Sequence, residues 1–175
     1  MVFTLIGMPG CGKSCMGRAI SKKLKMRNID GDRVIERMYG KKLHELIAEF
    51  GTDEFMKMEQ TALLSIDADD FILSTGGSAV YYPEVMEHYK KRGKIIYLYC
   101  SYEIIEKRLG DFSKRGVVLK PGQTLRDLYN ERTALYKKYA DITVDCSGEA
   151  YVKYQWRVVN AIKYVLSSME EESVE

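Results

Sequence analysis

The apolar residues of this 175-residue chain fall into two patterns, short unbroken runs and runs at helical spacing. Val2, Phe3, Leu5 and Ile6 form a short apolar run, interrupted only by Thr4, as a buried strand would. Ser14 to Leu24 reads as a helix, and Arg27-Asn28-Ile29 as a second short strand. Asp32 is placed to cap a helix reaching Tyr39, with Gly40 as its stop. A helix over Leu43 to Phe50 should end at Gly51, and another should begin near Thr52. In the latter, Phe55, Met58, Leu63 and Ile66 recur at helical spacing and turn one face inward. Phe71-Ile72-Leu73-Ser74 reads as a buried strand. Pro83 suits the first turn of a helix that Gly93 ends, and Ile95 to Tyr99 reads as a fourth strand. Ser101 should cap a helix to about Leu109. Gly110 to Gln123 lacks periodicity, carries Lys114, Arg115 and Lys120, and reads as a lid. Thr124 with Asp127 resembles a capping box opening a helix to Ala140. Ile142-Thr143-Val144 is a fifth strand. The last helix should run from about Glu149 to Met169, with Val152, Trp156, Val159, Ile162 and Val165 inward, before a charged tail.

Strands alternating with helices predict an α/β fold with a parallel sheet between two helical layers. The length and the absence of a linker suit one domain over 1–175. In such sheets ligands bind beyond the carboxyl ends of the strands. Three polar segments each follow a strand: the glycine-rich run at 7–14, Asp30-Gly31-Asp32, and Thr75-Gly76-Gly77-Ser78. They are expected to meet on one rim.

The run Gly7-Met8-Pro9-Gly10-Cys11-Gly12-Lys13-Ser14 fits the P-loop pattern and stands between a strand and a helix. Backbone N–H groups converge on phosphate oxygens only where side chains are absent. The helix N-terminus adds free N–H groups and a dipole that favours an anion. The nucleotide-contacting residues expected here are Gly10, Cys11, Gly12, Lys13, Ser14 and Cys15. Lys13 would meet the terminal phosphates, and the Ser14 hydroxyl would ligate Mg²⁺.

Composition narrows the rest. A net charge of +2 gives no basic face for nucleic acid. No apolar run reaches membrane-spanning length, and the first residues read as a strand rather than a signal peptide. The four cysteines, at 11, 15, 100 and 146, contain no CxxC pair. Reduced thiols in a cytoplasmic protein are the plain reading, with a monomer expected.

In these motifs and their order the chain resembles the shikimate kinases, within the nucleoside-monophosphate-kinase-like P-loop proteins. The P-loop is followed by Asp30 and Asp32, and Leu73-Ser74-Thr75-Gly76-Gly77 is similar to the family's Leu-Ser-x-Gly-Gly-Gly. Arg108 and Arg115 frame the lid, and Arg132-Thr133-Ala134-Leu135-Tyr136 is similar to Arg-x-x-Leu-Tyr. The resemblance implies a five-stranded parallel sheet in the order 2-3-1-4-5, with a substrate-binding helical segment at about 32–68 and a lid at about 110–123. It implies ATP-dependent phosphorylation of shikimate, with Mg²⁺. Asp30 would reach the metal shell through water, and Asp32 would accept from substrate hydroxyls and act as base. Arg108 would lie against adenine, and Arg115 would close over the transferring phosphoryl group. Arg132 would hold the substrate carboxylate, and Gly76 and Gly77 would bring backbone N–H groups to the substrate.

Two departures concern the acceptor. Met56 stands where the family carries an arginine that anchors the carboxylate, and Ser78 stands for the third glycine. Methionine donates no hydrogen bond to an anion. These changes keep a second acceptor open, another small hydroxy acid or polyol such as homoserine. A protein of another class, an idle nucleotide binder, is disfavoured by the presence of Lys13, Ser14, Asp30, Asp32 and Arg115.

Overall fold

The computed structural model describes residues 1–110, 122–148 and 150–172. The chain runs β1 (Val2–Ile6), α1 (Lys13–Leu24), β2 (Arg27–Asp30), α2 (Gly31–Tyr39), α3 (Leu43–Leu64), β3 (Phe71–Ser74), α4 (Pro83–Arg92), β4 (Gly93–Tyr99), α5 (Tyr102–Leu109), α6 (Leu125–Tyr139), β5 (Ile142–Asp145) and α7 (Tyr151–Glu172). A single 3₁₀ turn, Ala79–Tyr81, follows β3. The strands form one sheet in the order β2-β3-β1-β4-β5, every pair parallel. This is the expected order. β1 is central and every one of its residues is buried, which is why it is apolar at every position but Thr4.

Local signals explain most boundaries. Thr124 accepts from the Asp127 N–H at 3.1 Å while Asp127 Oδ2 accepts from the Thr124 N–H at 3.0 Å, so the expected capping box opens α6. Such a cap stabilises by ~1 kcal/mol. Gly51 adopts φ 78°, ψ 169° inside α3, which breaks the span into the two helical pieces read from the sequence. Pro83 is in the first turn of α4.

Two expectations are corrected. Asp32 does not cap α2: the helix begins at Gly31, Asp30 occupies the cap position, and Asp32 lies in the first turn. The reason is steric. A Cβ on Gly31 would lie 3.0 Å from Leu63 Cδ2 and 3.2 Å from the Ser74 carbonyl oxygen. A side chain at 31 would press on α3 and the end of β3 where the chain turns into the helix, one residue before Asp32. The inward face of α7 is corrected in part. Val159 and Ile162 are buried and Val165 packs against the core, as expected, whereas Val152 and Trp156 are about half exposed and Tyr154 and Val158 are buried instead. Trp156 lies flat on the outside, with Lys23 of α1 4.5 Å from its ring centroid.

Candidate active site

The P-loop lies between β1 and α1 as its composition requires. Gly10 and Gly12 adopt φ of 81° and 98°, the left-handed region that L side chains avoid. A Cβ on Gly12 would meet nothing within 4 Å, so the loop leaves open space at the head of α1. Lys13 is buried, and its Nζ donates to the carbonyls of Gly7 at 2.7 Å and Met8 at 3.1 Å. The ammonium is thus held over the loop that would receive an anion.

A cavity of about 590 Å³ opens from this loop. Gly10, Gly12, Lys13, Ser14 and Cys15 line it together with Asp32, Gly76, Gly77, Ser78 and Arg132. The three polar segments expected on one rim do meet there, at the carboxyl ends of β1, β2 and β3. Ser74 Oγ, at the end of β3, donates to the Lys13 carbonyl at 3.1 Å. Thr75 Oγ1 donates to the Leu5 carbonyl at 3.0 Å. A Cβ on Gly77 would fall 2.8 Å from Pro9 Cδ and 3.0 Å from Arg132 Nη1. The second loop therefore packs on the first with no room for a side chain.

Arg132 enters the cavity from α6. Leu125, Leu128, Tyr129, Arg132, Tyr136 and Tyr139 form the buried stripe of that helix at spacings of three and four. Arg132 is therefore an interior residue, 1% exposed. Its Nε donates to the Tyr81 hydroxyl at 3.3 Å, and its guanidinium lies 5.1 Å from the Tyr81 ring centroid. Four residues on, the Tyr136 hydroxyl donates to the Gly77 carbonyl at 2.7 Å, tying α6 to the glycine loop.

Burial first, and then the charges of Asp30 and Glu59, push the Asp32 carboxyl up to about 6; Lys13 opposes this. Asp30 itself is not among the cavity-lining residues. It borders a neighbouring cleft of about 310 Å³, which shares Arg18 with the cavity. Cys11 is buried under the loop, with its N–H donating to the Met8 carbonyl at 3.1 Å. Arg108 lies on α5 beside the loop, where its Cβ is 3.7 Å from the position a Cβ on Gly10 would take. Met56 is half-buried against the main core and is not among the cavity-lining residues. Arg115 lies outside the described residues.

Sequence reasoning missed Glu59, Tyr81 and Tyr82. Glu59 is buried against the cavity, where its Oε2 accepts from Ser78 Oγ at 2.5 Å and from the Tyr82 hydroxyl at 2.7 Å. A signal was present: Glu59 stands four residues after Phe55 and four before Leu63, a lone charge on the inward stripe of α3.

Fold and cavity together define an α/β P-loop phosphotransferase, with a phosphate-binding loop facing a second, polar pocket. The comparisons with known proteins carry this further. The sequence model of shikimate kinase matches residues 9–163. The shikimate kinase of Francisella tularensis subsp. novicida is 34% identical over 166 residues, covering 93% of this chain and 92% of that protein. That of Bacillus anthracis is 32% identical over 147 residues, covering 83% and 88%. The solved structure of shikimate kinase from Acinetobacter baumannii, in complex with shikimate, is similar at a TM-score of 0.82 and 28% identity, covering 95% of this chain and 93% of that one. The chain belongs to the shikimate kinase family, whose members are small-molecule kinases that phosphorylate a hydroxyl.

Proposed function

We propose that the protein transfers the terminal phosphoryl group of ATP to a hydroxyl of shikimate, giving shikimate 3-phosphate. The observation that carries this reading is one cavity lined both by the phosphate loop and by Asp32 and Arg132. Phosphoryl transfer asks the protein chiefly for positioning and charge neutralisation. Lys13 and the loop N–H groups neutralise the donor, Arg132 holds the acceptor carboxylate, and Asp32 orients the attacking hydroxyl. Arg115 adds a cation by the family resemblance, and Arg108 borders the adenine.

The residues present fit Mg²⁺. The Ser14 hydroxyl opens onto the cavity, and Asp30 and Asp32 raise charge on the same side, a hard oxygen set. Mg²⁺ in sites of this kind is bound through one or two protein oxygens together with phosphate and water. Ser14 would ligate it and Asp30 would act through water; bound there, the ion supplies charge to the phosphate oxygens. No helix among the described residues is long and apolar enough to cross a membrane. The free cysteines suit a reducing compartment, and we assign the protein to the cytoplasm as a monomer.

The test is ADP release from ATP and Mg²⁺ with saturating shikimate, against a control without acceptor. Turnover of ~1–10³ per second is expected. Release at the control rate would overturn shikimate as acceptor, and a panel of small hydroxy acids and polyols under the same assay would find the true one. Met56, away from the cavity, leaves Arg132 as its principal carboxylate anchor, which is what favours that second reading.

Asp32 must be ionised to accept from the attacking hydroxyl. With its carboxyl raised to about 6, kcat/KM should fall about tenfold per pH unit below that value. The stability effect has the opposite sense. A carboxyl raised in the folded state binds its proton more tightly there, so the free protein gains stability as pH falls through about 6. A kcat/KM profile flat down to roughly pH 5 would remove Asp32 from this role.

A further inference from the structure

The cleft beside the cavity takes no part in the chemistry above. Its volume is about 310 Å³, at the small end for a small-molecule site, and it borders β2, the edge strand of the sheet. Four arginines line it: Arg18 from α1, Arg27 from β2, and Arg33 and Arg37 from α2. Arg33 and Arg37 are four residues apart and so share one face of their helix. Among the described residues none of the four is within ion-pair distance of a carboxylate, although other exposed cations are, such as Lys41 with Glu49 and Lys57 with Glu54. Glu36 stands between Arg33 and Arg37 on α2, but it accepts from Lys42 Nζ at 2.9 Å. The segment 65–68, which also lines the cleft, has two of its carbonyls engaged elsewhere. That of Ile66 accepts from Arg92 Nη1 at 3.1 Å, and that of Ala68 accepts from Arg92 Nη2. Only two carboxylates, Asp30 and Asp67, stand against the four guanidinium groups. Guanidinium forks match the oxygens of a phosphate two at a time.

We propose that this cleft binds a small phosphorylated metabolite at a site separate from the cavity for ATP and acceptor, and that filling it weakens nucleotide binding through Arg18. The charges fit this class of ligand. Four arginines against two aspartates leave an excess of two positive charges, which a phosphate monoester, close to a dianion at neutral pH, balances. The volume limits the rest of the molecule to about the size of a sugar. Arg18 lines the cavity as well as the cleft, where it stands with Lys13 and Ser14. An anion in the cleft and the phosphates of a nucleotide would share that one cation, so each lowers the affinity for the other by the same factor. The site does not depend on which acceptor the cavity takes.

The experiment titrates the isotope-labelled full chain with glucose 6-phosphate, inorganic phosphate and glucose, following backbone amide and arginine Nε–H resonances. It is repeated with the double variant Arg33→Gln, Arg37→Gln. Both arginines are exposed and neither lines the catalytic cavity, so the variant should fold and turn over as wild type does. Arg27→Gln carries the test should it fail to fold. Glucose 6-phosphate should saturate and shift resonances of β2 and α2, inorganic phosphate should bind more weakly, and glucose should shift none. The double variant should bind the sugar phosphate at least about tenfold more weakly. With the cleft filled, Kd for MgADP should rise about fivefold in wild type and stay unchanged in the double variant. Shifts confined to the phosphate loop, or equal binding by the double variant, would overturn the site. Tighter binding of free phosphate, or of a single-stranded oligonucleotide, would overturn the class of ligand. A rise in Kd for MgADP that persists in the double variant would mark direct competition at the phosphate loop and overturn the coupling through Arg18.

Discussion

Lys13→Ala is expected to lower kcat by at least about two to three decades on every acceptor, the scale of removing one preorganised charge from a transition state. The ammonium of Lys13 is pinned over the phosphate loop by the Gly7 and Met8 carbonyls, in a residue only 8% exposed. Water substitutes poorly for a charge held in place there. The loss should fall on kcat, and KM for the acceptor should hardly move, because the Lys13 ammonium is held against the phosphate loop. Single-turnover measurement of phosphoryl transfer, with circular dichroism as the check on folding, reads this directly. Retained turnover in the folded variant would mean that the loop does not hold the donor.

The second large effect is expected at Arg132. Replacement by methionine keeps much of the volume and removes the guanidinium. KM for shikimate should rise by roughly two to three decades, the cost of leaving a desolvated carboxylate unpaired. A second readout is independent of the substrate carboxylate. The Arg132 charge helps hold Glu59 ionised, and Glu59 acts on Asp32. In Arg132→Met the Glu59 carboxyl should rise further and take up a proton at higher pH, which eases its repulsion of Asp32. The acid limb of kcat/KM should then move toward lower pH. An unchanged KM for shikimate would show that the carboxylate is held elsewhere. A limb that stays in place would show that the Glu59 and Asp32 carboxyls do not sense Arg132 as a pair.

Much of this molecule is legible along the chain because it rests on local rules. A strand covered on both faces must be almost wholly apolar, so β1 and β3 announce themselves. A loop that offers its N–H groups to phosphate must be nearly bare of side chains, which makes the run at 7–14 recognisable. The capping box at Thr124 and Asp127 and the break at Gly51 are equally local, because each depends on residues within one turn. The resemblance to the shikimate kinases added the strand order, which periodicity alone does not supply.

The errors have a common cause. Whether Asp32 caps a helix or points into a cavity depends on Leu63 and Ser74, which crowd Gly31 from elsewhere in the chain. The phase of α7 depends on where the sheet and α1 touch it, and Trp156 is covered by Lys23 instead of entering the core. Arg132 on the inward stripe of α6 and Glu59 on that of α3 look like misplaced charges until both are found on one cavity.

The α/β alternation and the phosphate loop follow from spacing within a few residues and were legible along the chain, while the charged groups beyond the loop came from the resemblance to the shikimate kinases. Which carboxylates line the cavity is a matter of the packing between distant segments. Asp32 and Glu59 are far apart along the chain, and burial against Gly76, Ser78 and Tyr82 brings their oxygens to one point. Desolvation there raises both carboxyls, an effect that no local pattern encodes because it arises from the packing of three segments around an absent side chain.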